Sequence, residues 1–452
     1  MGSSRATLPV LMAGCGTFAM LQSLVLPILP TIQARMHTSQ STVTWVMTAH
    51  LLSAAICTPI AGRVGDAVGK KRALVAVLLA LAVGCAVAAL ASGIGVLILA
   101  RVIQGVAGAV FPLSYGIIRD RFPAGRVASG VGAISAVIAA GGGLGLVAAG
   151  PIVDALDYRW LFWIPLVLAA ASALAAYRLV PESPRRDDRI AWPAALPLSA
   201  WLTALLLAVS KGPQWGWLSP AVLGLLTAAV ATAAAWVATE LGSSRPLIDM
   251  RMMRLPQVWT TNLAALFFGA GQFAMFTFLP QFVQTAPAAG YGFGSTVSES
   301  GVLLLPMLVA MFLGGAVSGP VERRFRSKAQ LVTGSVLGTL AFAGLALAHD
   351  QRWTVIAAAT VFGAGLGLGL SAMTNLVVGG VPAAQTGAAG GMNANIRTIG
   401  GAIGAALTGS VVTAGLRSDG APLEAGYTAG FLLLAVVSAA AAAAALAIPP
   451  AR

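Results

Sequence analysis

Apolar residues run along this chain in long blocks, broken by short stretches rich in Arg, Lys, Gly and Pro. Fourteen blocks reach the roughly 20 residues that a helix needs to cross a bilayer. They predict helices near residues 8–30, 43–61, 73–92, 95–118, 128–151, 161–180, 191–210, 217–239, 257–283, 300–320, 329–348, 353–379, 392–415 and 426–448. The expected fold is an all-α polytopic membrane protein with fourteen transmembrane helices. No Ala-x-Ala-like cleavage site follows a short apolar core near Met1, so the first block reads as a retained span.

The polar breaks orient the spans. With the N-terminus placed in the cytoplasm, one side collects Arg63, Lys70, Lys71, Arg72, Arg119, Arg121, Arg126, Arg178, Arg185, Arg186, Arg189 and most of the later basic residues. The other side holds Arg35, Arg159, Lys211, Arg352 and Arg417. The bias follows the positive-inside rule. It puts both termini in the cytoplasm of a multi-pass protein of the cell membrane.

Composition agrees with this pattern. The chain is 58% hydrophobic and 9% charged, whereas soluble domains carry roughly 25% charged residues. The net charge of +13 is spread over short loops with no aromatic-rich soluble domain, which excludes a nucleic-acid partner. Cys15, Cys57 and Cys85 all fall inside apolar blocks. An odd number of cysteines at membrane depth argues against a disulfide framework.

The break at residues 62–72 reads Gly62, Arg63, Val64, Gly65, Asp66, Ala67, Val68, Gly69, Lys70, Lys71, Arg72. It reads as a tight loop in which an acid sits among cations. Residues 319–328, Gly-Pro-Val-Glu-Arg-Arg-Phe-Arg-Ser-Lys, echo it after the tenth block, without the aspartate. The echo divides the chain into a six-helix bundle over 1–182, an inserted helix pair with linkers over 183–242, and a second six-helix bundle over 243–452. Repeated halves with a site between them are the usual plan of secondary transporters.

Two features lie at membrane depth. Arg101 shares a helical face with Gly105, Gly108, Pro112 and Tyr115. Such an arginine lines a watery cavity or snorkels to an interface. The fifth block carries Gly141, Gly145 and Ala149 at four-residue spacing, a face that lets helices approach closely.

The 62–72 segment, the Arg101, Gln104, Gly105 sequence and the glycine-rich fifth block together resemble the major facilitator superfamily. Tyr158-Arg159-Trp160, the 212–217 stretch Gly-Pro-Gln-Trp-Gly-Trp, the 245–249 stretch Arg-Pro-Leu-Ile-Asp, and Arg397 before Gly400-Gly401 are similar to its fourteen-span drug:proton antiporter branch. The resemblance implies proton-coupled efflux of hydrophobic or amphiphilic small molecules by alternating access. It also implies that Asp66 ties the cytoplasmic ends of the halves together. Two departures stand out: Gly145-Leu146 replaces the branch's Gly-Pro pair, and no acid occurs at 20–24. A facilitative or uptake carrier of the same fold is therefore the alternative.

Every acid lies at a span end or in a loop, so His50 or an end-of-span carboxylate (Asp66, Asp120 or Asp154) is the candidate proton carrier. Expected gating or coupling residues are Asp66, Arg72, Arg101, Asp120, His50, Gly141 and Gly145. Expected substrate contacts are Gln22, His50, Tyr115, Asn262, Gln272, Phe273, Phe276 and Asn375. No His-Glu-x-x-His or Gly-x-Ser-x-Gly motif occurs, so neither an enzyme, a cofactor nor a metal is expected. The partners expected are a small-molecule substrate, protons and the lipid bilayer, with the chain acting as a monomer.

Overall fold

The computed structural model of the chain describes residues 3–38, 40–43, 45–183, 192–243, 246, 248–322, 324–382, 385–415 and 422–449. Fourteen long helices follow one another among these residues. They are α1 Ser3–Leu24, α2 Trp45–Val68, α3 Lys70–Ala89, α4 Ile94–Arg121, α5 Ala124–Ala155, α6 Trp160–Leu179 and α7 Ala195–Trp215. The rest are α8 Pro220–Gly242, α9 Pro256–Gln284, α10 Val297–Val321, α11 Ser327–Leu347, α12 Arg352–Gly379, α13 Thr386–Val412 and α14 Glu424–Leu446. Thirteen described helices are long and apolar enough to cross a membrane. The exception is α13, whose 27 residues include Asn393, Asn395 and Arg397. Arg185, Arg186, Arg189, Arg245, Leu247, Arg323, Arg417 and Arg452, used above for the charge bias and motifs, lie outside the described residues.

Local chemistry sets several boundaries. α1 stops at Leu24, ahead of Pro27 and Pro30, earlier than its apolar run suggests. α10 opens on a capping box: Thr296 Oγ1 accepts from the Glu299 N–H at 3.1 Å, and Glu299 Oε2 accepts from the Thr296 N–H at 2.9 Å. α8 opens on Ser219, whose hydroxyl caps Val222 N, with Pro220 in the first turn.

The segment at 62–72 is not an open loop. α2 continues to Val68, and α3 begins at Lys70. The turn is a single residue, Gly69, whose φ of 108° is one that side chains other than glycine's rarely adopt. Gly65 has a different task, since a Cβ there would collide with Leu113 of α4. Its bare backbone lets α2 and α4 pack together.

Three apolar cores organise the packing. One gathers Leu21, Leu78, Leu97 and Phe162 from α1, α3, α4 and α6. A second gathers Phe282, Phe342, Phe362 and Phe431 from α9, α11, α12 and α14. In the third, Leu198 and Leu202 of α7 and Trp236 of α8 meet Ala55 of α2 and Met392 of α13. The first two groups are joined along α5 and α10, which run antiparallel from Ser129 beside Gly319 to Gly150 beside Ser298.

Candidate functional site

One end of the bundle carries a buried charge cluster. Asp66 in the last turn of α2 pairs with Lys70 in the first turn of α3 at 3.3 Å. The same Lys70 ammonium donates to Asp120 of α4 at 2.8 Å. Asp66 and Lys70 are 3% and 4% exposed, so neither charge is tolerable without the other. Gly116, one turn before Asp120, leaves room for the Lys70 stem.

Beside Asp120, Arg119 spans the gap to the second helix group. Its guanidinium donates to the carbonyl of Val378 at the end of α12, to Val381 O at 2.7 Å, and to Thr386 Oγ1 of α13 at 2.7 Å. A cation on the last carbonyls of a helix meets both unsatisfied acceptors and the negative end of the dipole. Nearby, Gly391 lies against Thr58 and Pro59, and Gly390 against Pro112 and Tyr115. The bundle is sealed at this end.

Asp66 therefore does not itself join the two helix groups. It holds Lys70, which holds Asp120, and the neighbouring Arg119 makes the crossing. Arg72 is not in the cluster: it is exposed and pairs with Glu182 at 3.4 Å. In the echoing segment at 319–328, Glu322 accepts from Ser327 and Gln330 with no lysine inserted.

A cavity of about 220 Å³ lies farther from this end, between the two helix groups. It is walled by Gln22 and Ser23 of α1, Met47 of α2, Gln272, Phe273 and Phe276 of α9, Met311 of α10, and Gly401 of α13, among others. Apolar surface dominates, the polar groups are amides and hydroxyls, and no ionisable side chain among the described residues lines it. The Gln272 Oε1 is buried with no hydrogen-bond partner among the described residues. Such an acceptor is costly unless a ligand or water engages it.

Four of the expected substrate contacts, Gln22, Gln272, Phe273 and Phe276, meet at this cavity. The other four do not line it. Asn262 accepts from Asn393 Nδ2 at 2.8 Å and ties α9 to α13. Tyr115 sits at the sealed end against Gly390, and Asn375 on α12 is partly buried away from the cavity. His50 is fully buried against the Phe18 ring, 5.6 Å between centroids, and neither ring nitrogen has a hydrogen-bond partner among the described residues.

Arg101 corrects the cavity expectation too. It is wholly buried between α4 and α2. Its Nε donates to Val46 O at 3.0 Å and its Nη1 to Gln104 Oε1 at 2.7 Å. Gln104 in turn donates to Gly84 O of α3 at 3.1 Å. The pair ties α2, α3 and α4 together, its guanidinium and amide donors meeting backbone carbonyls at a depth where lipid offers no acceptor.

Gly141 and Gly145 face α1: a Cβ at Gly141 would come within 2.6 Å of Gly16 O, and one at Gly145 would overlap Met20 O. The faces of α5 turned to α10 carry other glycines, Gly143 against Leu308 and Gly150 against Ser298. A Gly145→Val variant is thus expected to lose folded protein by overpacking α1, at a cost of about 1–3 kcal/mol or more. Size-exclusion yield of the purified protein checks this; full yield with slowed transport would instead assign Gly145 to coupling.

Lys70 and Arg119 are the residues that sequence reasoning passed over, counting them only as basic loop residues. Arg119 meets its carbonyl acceptors at separations of 259 and 262 residues, and no local pattern encodes such a meeting.

Comparison with known proteins fits this architecture. The chain is 29% identical over 391 residues to the "Tetracenomycin C resistance and export protein" of Streptomyces glaucescens, covering 84% of this chain and 70% of that one. It is 26% identical over 380 residues to the "Multidrug transporter protein MdtP" of Bacillus subtilis (strain 168), covering 83% and 69%. The crystal structure of the human organic anion transporter MFSD10 (TETRAN) superposes with a TM-score of 0.70 at 16% identity, over 98% of this chain and all of that one, a likeness of fold. A model of the Major Facilitator Superfamily matches residues 11–405. This multi-pass membrane protein, a transporter rather than an enzyme, belongs to the Major Facilitator Superfamily.

Proposed function

We propose that the chain is a drug-efflux transporter that exports hydrophobic or amphiphilic small molecules in exchange for protons. It acts as a monomer in the cell membrane, with both termini and the Asp66 end in the cytoplasm and α13 as the fourteenth crossing. The observation that carries this reading is the cavity between the helix groups, with its unpaired Gln272 Oε1, above a sealed charge-clamped end. That arrangement suits one state of an alternating-access cycle, and the relatives named for export and multidrug transport support the direction.

The lining suggests the substrate: Phe273, Phe276, Met47 and Met311 offer adaptable apolar contact, and Gln22 and Gln272 offer amide hydrogen bonds. The absence of ionisable groups from the lining favours uncharged or weakly charged molecules. It also means that a coupled proton does not compete with substrate for one side chain there. Coupling then runs through helix movement at the Asp66, Lys70, Asp120 cluster. The same neutrality supports the second reading, a carrier with no proton step.

Reconstituted vesicles with an imposed pH gradient separate the two, using a panel of neutral, anionic and cationic fluorescent dyes as probes. The first reading expects gradient-driven accumulation of neutral dyes and dye-dependent proton flux. Dye movement without proton flux selects the second. Phe276→Ala is expected to raise KM for apolar dyes about tenfold, from the loss of roughly 1.5 kcal/mol or more of buried contact. An unchanged dye profile would remove this cavity as the binding site.

A further inference from the structure

At the end of the bundle opposite Asp66, three ligand-type side chains converge. His349 follows α11, Asp350 precedes α12, and Glu424 opens α14. One imidazole nitrogen and one oxygen of each carboxylate lie within 4.8 Å of one another.

The geometry sets the imidazole's roles. His349 Nδ1 lies 2.7 Å from Leu345 O; a carbonyl can only accept, so Nδ1 carries the hydrogen. Nε2 then faces Glu424 Oε1 at 3.0 Å. An imidazole nitrogen and a carboxylate oxygen this close are bridged either by a proton, as an ion pair, or by a metal ion.

Asp350 adds a second carboxylate and makes no hydrogen bond or ion pair among the described residues. The neighbouring Arg352 does not neutralise it. That guanidinium donates to Phe293 O at 3.2 Å and lies 5.6 Å over the Phe293 ring. Among the described residues no Lys or Arg pairs with either carboxylate.

We propose that His349, Asp350 and Glu424 form a binding site for a divalent transition-metal ion such as Zn²⁺, Ni²⁺ or Co²⁺. One imidazole with two carboxylates is a donor set these ions accept, at roughly 2.0–2.2 Å. Two ligands 3.0 Å apart, one on a fixed ring, suit a shared ion with small adjustment of the exposed carboxylates. The bond to Leu345 O is the kind of outer contact that orients a metal-binding histidine. Phe282, 5.4 Å from the ring in an edge-on contact, holds it in place, and His349 is only 7% exposed.

A small polar pocket of about 150 Å³ adjoins the cluster, lined by Pro287, Gly290, Tyr291, Gly292, His349 and Asp350. It leaves room for water or an exogenous ligand in a fourth position. An ion here would staple the α11–α12 turn to the start of α14. Sequence inspection misses the site because Glu424 lies 75 residues beyond His349 and no short motif links them.

The test uses full-length, tag-free protein in detergent, titrated with Co²⁺ and then Zn²⁺. One equivalent of Co²⁺ is expected to produce a visible absorption band that Zn²⁺ abolishes, and the metal is expected to raise the melting temperature. Asp350→Asn should weaken binding at least tenfold, and Glu424→Gln and His349→Gln should remove the band. Melting curves in chelator verify that the variants are folded. The two carboxylate variants carry the test even if His349→Gln disturbs its aromatic surroundings. Failure of the wild-type protein to bind metal up to millimolar concentration overturns the proposal, leaving a proton-bridged His349–Glu424 pair. Wild-type binding by folded Glu424→Gln and Asp350→Asn also overturns it.

Discussion

Lys70→Met is expected to destabilise the protein and abolish transport. The substitution keeps the volume of the stem that packs on Gly116 but strips the cation from between Asp66 and Asp120. Removing one partner of a buried ion pair costs about 3–5 kcal/mol, because the remaining charge stays desolvated. Here two carboxylates are stranded, and their mutual repulsion adds to the cost. A melting curve in detergent reads the effect. The triple variant Lys70→Met, Asp66→Asn, Asp120→Asn is expected to recover most of the lost stability, since it replaces every charge of the cluster by a neutral group. Wild-type melting and transport in Lys70→Met alone would show that the cluster does not hold the end of the bundle together.

Arg119→Ala is expected to unseal that same end while leaving the fold intact. Among the described residues the guanidinium makes all its hydrogen bonds across the seam, to α12, to Val381 and to α13. Hydrogen bonds to charged groups contribute about 1.5–3 kcal/mol each, net of the water contacts they replace. A net loss of roughly 1.4 kcal/mol from the sealed state already changes its population tenfold. A cysteine at Gly390, which packs on Pro112 and Tyr115 in the sealed form, reports the opening in a background lacking Cys15, Cys57 and Cys85. Arg119→Ala should label at least tenfold faster with a polar thiol reagent. Equal labelling rates would mean that the apolar contacts of α13 with α2 and α4 close the end unaided.

How much of this was legible beforehand differs from element to element. The all-helical membrane class follows from apolar blocks of spanning length, and every expected block overlaps a helix. The ends are less legible. Glycines and basic residues at 62–68 resemble a loop, yet the helix continues through them because Gly65 serves a close approach, not a turn. α13 is long enough to cross, but Asn393, Asn395 and Arg397 lower its apolarity, since they face other helices more than lipid.

The candidate site was half legible, for a rotational reason. Gln22, Gln272, Phe273 and Phe276 reach the cavity, whereas His50, Tyr115, Asn262 and Asn375 do not. Helices apolar on every side lack the polar face that would fix their rotation. Choosing a residue by type and depth therefore leaves its direction open. Arg101 shows the same limit: its partners are a backbone carbonyl on α2 and its own helix neighbour Gln104, and a carbonyl partner leaves no mark in the sequence.

The contact between α5 and α10 has a mechanical meaning. Where Gly132, Gly315 and Gly319 meet, backbone lies on backbone, and no large side chain is keyed into a slot on the other helix. A seam of that kind resembles a plain bearing more than a gear. That stretch can roll with no side chain leaving its rotamer, whereas farther along the same seam Leu308 sits in the notch of Gly143 and must give way. Resistance to the motion then falls on that one key and on the end of the axle, where Arg119 makes its contacts.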